Sequence, residues 1–396
     1  MSTVVHFHYS MNPDGGDTRR IRNIDKSLCN KLGDKIIEVE FYGFNKRHIY
    51  KSYPFFTLSE NIKKKYCFSM IYRYSWIGDF TSSLQLAYIC RKHKADYVVG
   101  EFSFSSRSLK LVRMLCPNIK IIIDCHGSVP EEMLYENPKL PKHIYDYYEQ
   151  AELKSCQIAD YMVCQSDEMK RHLVSKYNAY EGKIAVFKCG VNTSVFNIYE
   201  ADKRDNLRKE LNISNNDVVF IYAGAIQKWQ KIDLSLKIFN EYHKHNAKSR
   251  FIILTRNTQA VEKLLAELKM EQLREALIIT GVKHEDVPLY LNASDIAFLI
   301  RDNVVLNQVA SPTKLAEYMA CGLPIITSSV ADKWVNDDIK DSLIFQDKEL
   351  EICKKIDQVL ATVDKKHIHN YVLENLSVFA DEKNIHNVIF KSIKSK

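Results

Sequence analysis

Val218-Val-Phe-Ile-Tyr-Ala-Gly224 (VVFIYAG) is a short apolar run closed by a glycine. It is short for a buried helix and rich in β-branched and aromatic residues, so it reads as a strand covered on both faces. The theme recurs downstream in RFIIL (250–254), ALIIT (276–280), DIAFLI (295–300) and LPIIT (323–327), with amphipathic stretches between them. Upstream the same alternation runs through VVHFHYS (4–10), IIEVEFYG (36–43), DYVVG (96–100), IKIIID (119–124), DYMVCQ (160–165) and IAVFK (184–188). Helical patterns fall between these, at Asp17 to Leu32, Leu84 to His93 and Ile144 to Ile158. Strands separated by helices imply right-handed βαβ units and parallel sheets. The pattern starts twice, so the fold class is α/β: two doubly wound, Rossmann-like parallel-sheet domains facing a cleft. The polar stretch Asn197 to Asn216 divides them, giving domains 1–198 and 199–380.

Composition narrows the class. The chain has 396 residues, 46% hydrophobic and 27% charged, ordinary for a globular protein. Gly 12 and Pro 9 exclude collagen-like and low-complexity chains. No apolar run approaches the ~18 residues of a spanning helix, and MSTVVHFHYS lacks the pattern of a signal peptide. Ten cysteines without a CxxC pair read as reduced thiols, so a cytoplasmic protein is expected. A net charge of +7 mildly favours phosphates or anionic lipid, without the concentrated basic footprint of a nucleic-acid binder. The stretch from Lys46 to Trp76 interleaves basic and aromatic residues, densest at Lys63, Lys64 and Lys65. It suits peripheral contact with the inner face of an anionic membrane, and equally a hairpin or helix with a solvated face.

The segment from Ala310 to Thr327, ASPTKLAEYMACGLPIIT, carries the chemistry. Ser311 reads as a helix N-cap with Pro312 at the first helical position, and Gly322 and Pro324 end the helix. At 100° per residue Leu315 and Met319 share one face, while Lys314, Glu317 and Cys321 share another. Free backbone N–H groups, the dipole and a lysine make an anion site suited to a diphosphate. Glu317, one turn in, can accept hydrogen bonds from two vicinal hydroxyls. A solvated helix with a lysine–glutamate pair is the plainer alternative.

SPTKLAEYMACGLPII resembles the signature of the retaining glycosyltransferases of family four, which have the GT-B fold. DCHGSVPEE (124–132), VFKCGVNTSVF (186–196), FIYAGAIQKWQKID (220–233) and VPLYLNASDIAFLIRD (287–302) agree with that family in order. The resemblance implies that Glu317 holds the donor ribose and that Ser311, Pro312, Thr313 and Lys314 hold the diphosphate. Gly224 and Lys228 then lie on the donor side, His126 contacts the transferred sugar, and Gly15-Gly16 lies beside donor phosphates and acceptor. It also places the acceptor on the first domain, with the stretch at about 381–396 packing back on that domain.

Three positions depart from the family. Val309 stands where a second glutamate is usual, and Ala225 and Gln230 stand where an arginine and a lysine are usual. A departing diphosphate needs positive charge, and Lys228, Lys231, Arg301 and Lys314 are the candidates, the last three with His126 forming the expected catalytic set. No metal and no cofactor are expected, since no DxD or His/Asp set has ligand spacing and the nucleotide-sugar is itself a substrate. The expected activity is retaining transfer from that donor to a glycan or lipid-linked glycan, in assembly of a bacterial surface polysaccharide or lipid-linked oligosaccharide. The alternatives are a nucleotide-sugar epimerase and a silent basic protein that binds anionic lipid or nucleic acid.

Overall fold

The computed structural model describes residues 3–9, 35–43, 62–70, 76–348 and 350–378. Gly15, Gly16, the expected helix from Asp17 to Leu32 and the stretch 381–396 lie outside them, as does most of the stretch from Lys46 to Trp76.

The first unit holds a seven-stranded sheet in the order β3-β2-β1-β4-β5-β6-β7, with every pairing parallel. Its strands are β1 (Thr3–Tyr9), β2 (Lys35–Gly43), β3 (Ile62–Met70), β4 (Tyr97–Glu101), β5 (Lys120–Cys125), β6 (Tyr161–Cys164) and β7 (Ile184–Val186). The second unit holds a six-stranded parallel sheet in the order β10-β9-β8-β11-β12-β13. These are β8 (Val218–Ala223), β9 (Ser249–Leu254), β10 (Leu277–Thr280), β11 (Ile296–Leu299), β12 (Ile325–Thr327) and β13 (Leu343–Phe345). Strand order reverses between β1 and β4, and again between β8 and β11. In open α/β sheets ligands sit beyond the carboxyl ends of strands at such reversals.

Period-2 alternation builds two cores on the second sheet. Val219, Ile221 and Ala223 of β8 pack with Ala297 and Leu299 of β11 on one face, joined by Leu315 and Met319 of the helix Thr313–Ala320. Phe220, Ile296 and Phe298 point the other way and pack with Leu236, Phe239 and Tyr242 of the helix Ile232–His245. Fully burying each such side chain stabilises by about 1.5–3 kcal/mol, so both faces need cover. Asp295 ties the starts of β8 and β11 together, accepting from Val219 N at 2.9 Å and from buried Arg208 at 2.6 Å.

Three features differ from the sequence expectation. The units divide between Lys188 and Cys189, upstream of the expected 198/199 boundary. Val191 bonds Leu376 O at 2.9 Å and Phe196 is buried in the second unit, in the core that holds Val219 and Leu315, so the chain joins that unit before its polar stretch begins. Ile62–Met70 is an edge strand whose lysine run sits in register with β2, Lys65 opposite Glu38. Charged residues suit an edge, where they discourage pairing with another chain. A sixth strand, β13, follows β12 in the second sheet. Among the described residues no helix is long and apolar enough to cross a membrane.

Candidate active site

The carboxyl ends of β8 and β11 carry Gly224 and Arg301, and the helix Thr313–Ala320 supplies Lys314 and Glu317. Lys314 Nζ donates to Tyr222 Oη and to Gln230 Oε1, each at 3.1 Å, and lies 4.5 Å over the Tyr222 ring. Gly224 makes this possible: a Cβ there would come within 2.1 Å of Nζ, and its φ of +149° disfavours other residues. Burial, then repulsion from Arg301, brings the Lys314 pKa down to about 7 despite Glu317 on its own helix. Burial keeps the Tyr222 phenol well above its usual value, so both hydrogen-bond partners of Lys314 are neutral.

Arg301 is the second cation. Its guanidinium lies 5.7 Å over the Trp334 ring, its backbone N–H bonds Ser328 Oγ at 3.1 Å, and burial lowers its pKa to about 10. Its Nε is buried without a hydrogen-bond partner among the described residues. Such a donor costs about 1–3 kcal/mol if it stays unpaired. Neither Arg301 nor Lys314 has a carboxylate within ion-pair reach among the described residues. Two adjacent cations left uncompensated are built for an anion.

The remaining candidates separate from this pair. Lys231 adopts a left-handed φ of +48° and its Nζ lies 3.3 Å from Asp302, which offsets its charge. Lys228 is exposed on the preceding turn. Gln230, at the position where the family has lysine, is buried and serves Lys314 instead. Val309 is buried.

The helix start departs from the sequence reading. Pro312 occupies the N-cap, with φ −68° and ψ 116°, so Thr313 is the first helical residue. Ser311 does not cap; its Oγ accepts from Cys189 N at 3.0 Å, fastening the start of the second unit to the helix. The amides of Thr313 and Lys314 precede any intrahelical acceptor. One turn on, Glu317 is nearly buried and its Oε1 accepts from His284 Nε2 at 3.2 Å. His284, packed edge-on against Phe196 at 5.3 Å, was not singled out from the sequence. It lies 33 residues from Glu317, and no local spacing signals the pair.

Family comparisons assign both halves. Residues 26–195 match the family described as Glycosyltransferase Family 4, and residues 217–362 match Glycosyl transferases group 1. The chain belongs to the group 1, family 4 glycosyltransferases. Alpha-monoglucosyldiacylglycerol synthase of Acholeplasma laidlawii is 27% identical over 201 residues, 47% of this chain and 48% of that protein. Chitobiosyldiphosphodolichol beta-mannosyltransferase of Debaryomyces hansenii is 23% identical over 236 residues, 55% of this chain and 49% of that protein. The alignments thus span about half the length of these relatives. A glycosyltransferase structure from Rickettsia africae superposes with a TM-score of 0.71 at 18% identity, covering 100% of this chain and 99% of the other. Anabaena HepE in complex with UDP and glucose gives 0.70 at 12%, covering both chains fully. The architecture is GT-B.

In the first unit of this glycosyltransferase His126 follows β5, and its Nδ1 lies 3.5 Å from buried Asp124. The turn that carries it is anchored by Glu152 of the helix Lys142–Ile158, a carboxylate with no solvent exposure. Glu152 accepts from Val129 N at 2.9 Å, Ser128 Oγ at 3.2 Å, Ser103 Oγ at 2.8 Å and Tyr177 Oη at 2.7 Å. Burial raises its pKa, against the pull of those four donors. Its sequence signal is a glutamate on the stripe Ala151, Glu152, Ser155, Cys156, where small buried residues otherwise line the helix. Glu131, by contrast, bonds Lys176 and Tyr145, each at 2.9 Å. Burial would raise its pKa, and these partners outweigh that and hold it below the usual range.

Proposed function

We propose that the enzyme transfers a sugar with retention of configuration from a nucleotide-sugar donor to a hydroxyl of a glycan or lipid-linked glycan. The uncompensated pair Arg301 and Lys314, at the strand-order reversal of the second unit, carries this reading, because a nucleoside diphosphate is an anion that would satisfy both. In it the amides of Thr313 and Lys314 and the open backbone at Gly224 receive the diphosphate. Glu317 receives the ribose hydroxyls, and the role proposed for His126 is contact with the transferred sugar. Negative charge grows on the departing diphosphate, so fixed cations lower the barrier more than a general base would. The names of the two relatives each contain a lipid, diacylglycerol in one and dolichol in the other. That supports a lipid-borne acceptor, in surface polysaccharide or lipid-linked oligosaccharide assembly, at the cytoplasmic side of a membrane.

A thermal-shift screen of nucleotide sugars identifies the donor, since a bound ligand raises the melting temperature whatever the acceptor. Those two names specify opposite anomers, so the product's anomeric proton is read by NMR; an inverted product overturns retention. Donor consumed to an isomer without acceptor indicates epimerisation. Glu317→Ala should weaken the selected nucleotide by roughly 1.5–3 kcal/mol, the scale of a hydrogen bond to a charged group. Unchanged affinity in calorimetry of the folded variant removes the ribose role.

A further inference from the structure

Arg301 lies just past the carboxyl end of β11, and the segment that follows the neighbouring strand β12 grips it twice. Ser328, the first residue after β12, accepts from the Arg301 amide at 3.1 Å and donates to the Arg301 carbonyl, which fixes the backbone on both sides. Further along the same segment, Trp334 lays its ring 5.7 Å from the guanidinium, within the reach of a cation–π contact.

The ring is itself held. Trp334 Nε1 donates to Asn307 O at 2.9 Å, and Asn307 Nδ2 donates to the carbonyl of Asp302, next to Arg301, also at 2.9 Å. Trp334 is 7% exposed and Asn307 1%, so N–H groups this deep need acceptors, and these two have them. The contacts close a circuit from Arg301 and Asp302 through the short helix Val305–Gln308 to Trp334 and back to the guanidinium. A packed indole tied at its one polar atom has little freedom to turn away.

The carboxylates on these two segments are engaged elsewhere. Asp302 lies 3.3 Å from Lys231, and Asp332 lies 2.8 Å from Lys348 and 3.4 Å from Lys340. That choice of partner decides what the arginine can do. A carboxylate would aim Arg301 and cancel its charge. A ring face aims the guanidinium through its quadrupole and leaves the charge and the N–H edge available.

We propose that Trp334 is a positioning residue for the transfer reaction: its ring holds Arg301 toward the diphosphate without neutralising it. The inference rests on the proposed function for the anion that Arg301 meets.

The test is a double-substitution cycle of Arg301→Gln and Trp334→Leu, with Trp334→Phe as the conservative variant. Inorganic pyrophosphate is the probe, since it needs neither base nor sugar. In calorimetry Arg301→Gln should weaken pyrophosphate by at least about ten-fold, the scale of a hydrogen bond to a charged group. Trp334→Leu should weaken it by about ten-fold, and Trp334→Phe by under about three-fold because a ring face remains. In the Arg301→Gln background Trp334→Leu should cost no further affinity, since nothing is left for the ring to aim. A tryptophan that only fills the core gives an equal loss whether residue 301 is Arg or Gln, and that result overturns the proposal. So does unchanged affinity in Trp334→Leu when Arg301→Gln is weakened, which leaves the diphosphate reading standing. No pyrophosphate binding by the wild type, or binding indifferent to both Arg301→Gln and Lys314→Ala, removes the diphosphate reading and the proposal with it. Far-UV circular dichroism checks that each variant is folded, and Trp334→Met takes the place of Trp334→Leu in the cycle if the leucine variant is not.

Discussion

Replacing Lys314 by alanine should cut turnover by about 100-fold or more, the scale on which one preorganised charge-stabilising donor acts. The expectation comes from the surroundings of Nζ, which has two neutral hydrogen-bond partners, Tyr222 and Gln230, and a neighbouring cation, Arg301. A diphosphate would supply the missing counter-charge and draw a proton onto a lysine whose pKa is otherwise near 7. The sign follows. Above pH 7 the empty site holds neutral lysine, so binding takes up a proton and nucleotide affinity falls as pH rises, by up to tenfold per unit. Titration calorimetry in buffers of different ionisation enthalpy measures that uptake directly. Lys314→Arg should recover only part of the turnover, because a planar fork does not fit a nest shaped for a compact ammonium. Near-normal turnover in Lys314→Ala, or binding independent of buffer at pH 8, would discard the charge-stabilising role.

The strands were legible because a parallel sheet covered on both faces writes itself as continuous β-branched and aromatic runs, as in Val218 to Ala223 and Ile121 to Ile123. β3 was not, since IKKKYCFSM at a sheet edge keeps its lysines and loses that signature. β13 is three residues long, too short for periodicity to show. Within the site, the helix carrying Lys314 and Glu317 could be read from its own sequence, but its partners could not. Tyr222 and Gln230 lie 92 and 84 residues away from Lys314, and only the β8 carboxyl end brings them there. The cap was misplaced by one residue because Ser311 has a stronger use. An amide from Cys189 competes for its hydroxyl, and Pro312 takes the extended backbone that the cap requires. Gln230 shows how a departure from a family pattern becomes intelligible: the lost lysine is exchanged for an acceptor that holds Lys314.

Glu152→Ala should destabilise the enzyme by about 3 kcal/mol, the cost expected when buried donors lose their acceptor. Val129 N–H cannot turn elsewhere, whereas the hydroxyls of Ser103, Ser128 and Tyr177 can rotate, so the cost stays below four full losses. Glu152→Gln keeps one carbonyl oxygen for Val129 and Ser103 and should cost about 1 kcal/mol, since the other two hydroxyls can accept from its amide. Burial raises the Glu152 pKa, so between the ordinary carboxyl range and that raised value the folded enzyme binds more protons than the unfolded chain. Stability should therefore fall as pH rises through that window, and the glutamine variant should lose this slope. Denaturant midpoints of wild type and Glu152→Gln on both sides of the window measure it. The functional consequence is separable by unit. Val129 and Ser128 fix the turn after His126, while Lys314 and Glu317 belong to the other unit. Glu152→Ala should lower turnover with nucleoside diphosphate affinity unchanged in calorimetry. Equal losses in both would mean that Glu152 supports the whole fold rather than the turn that presents His126.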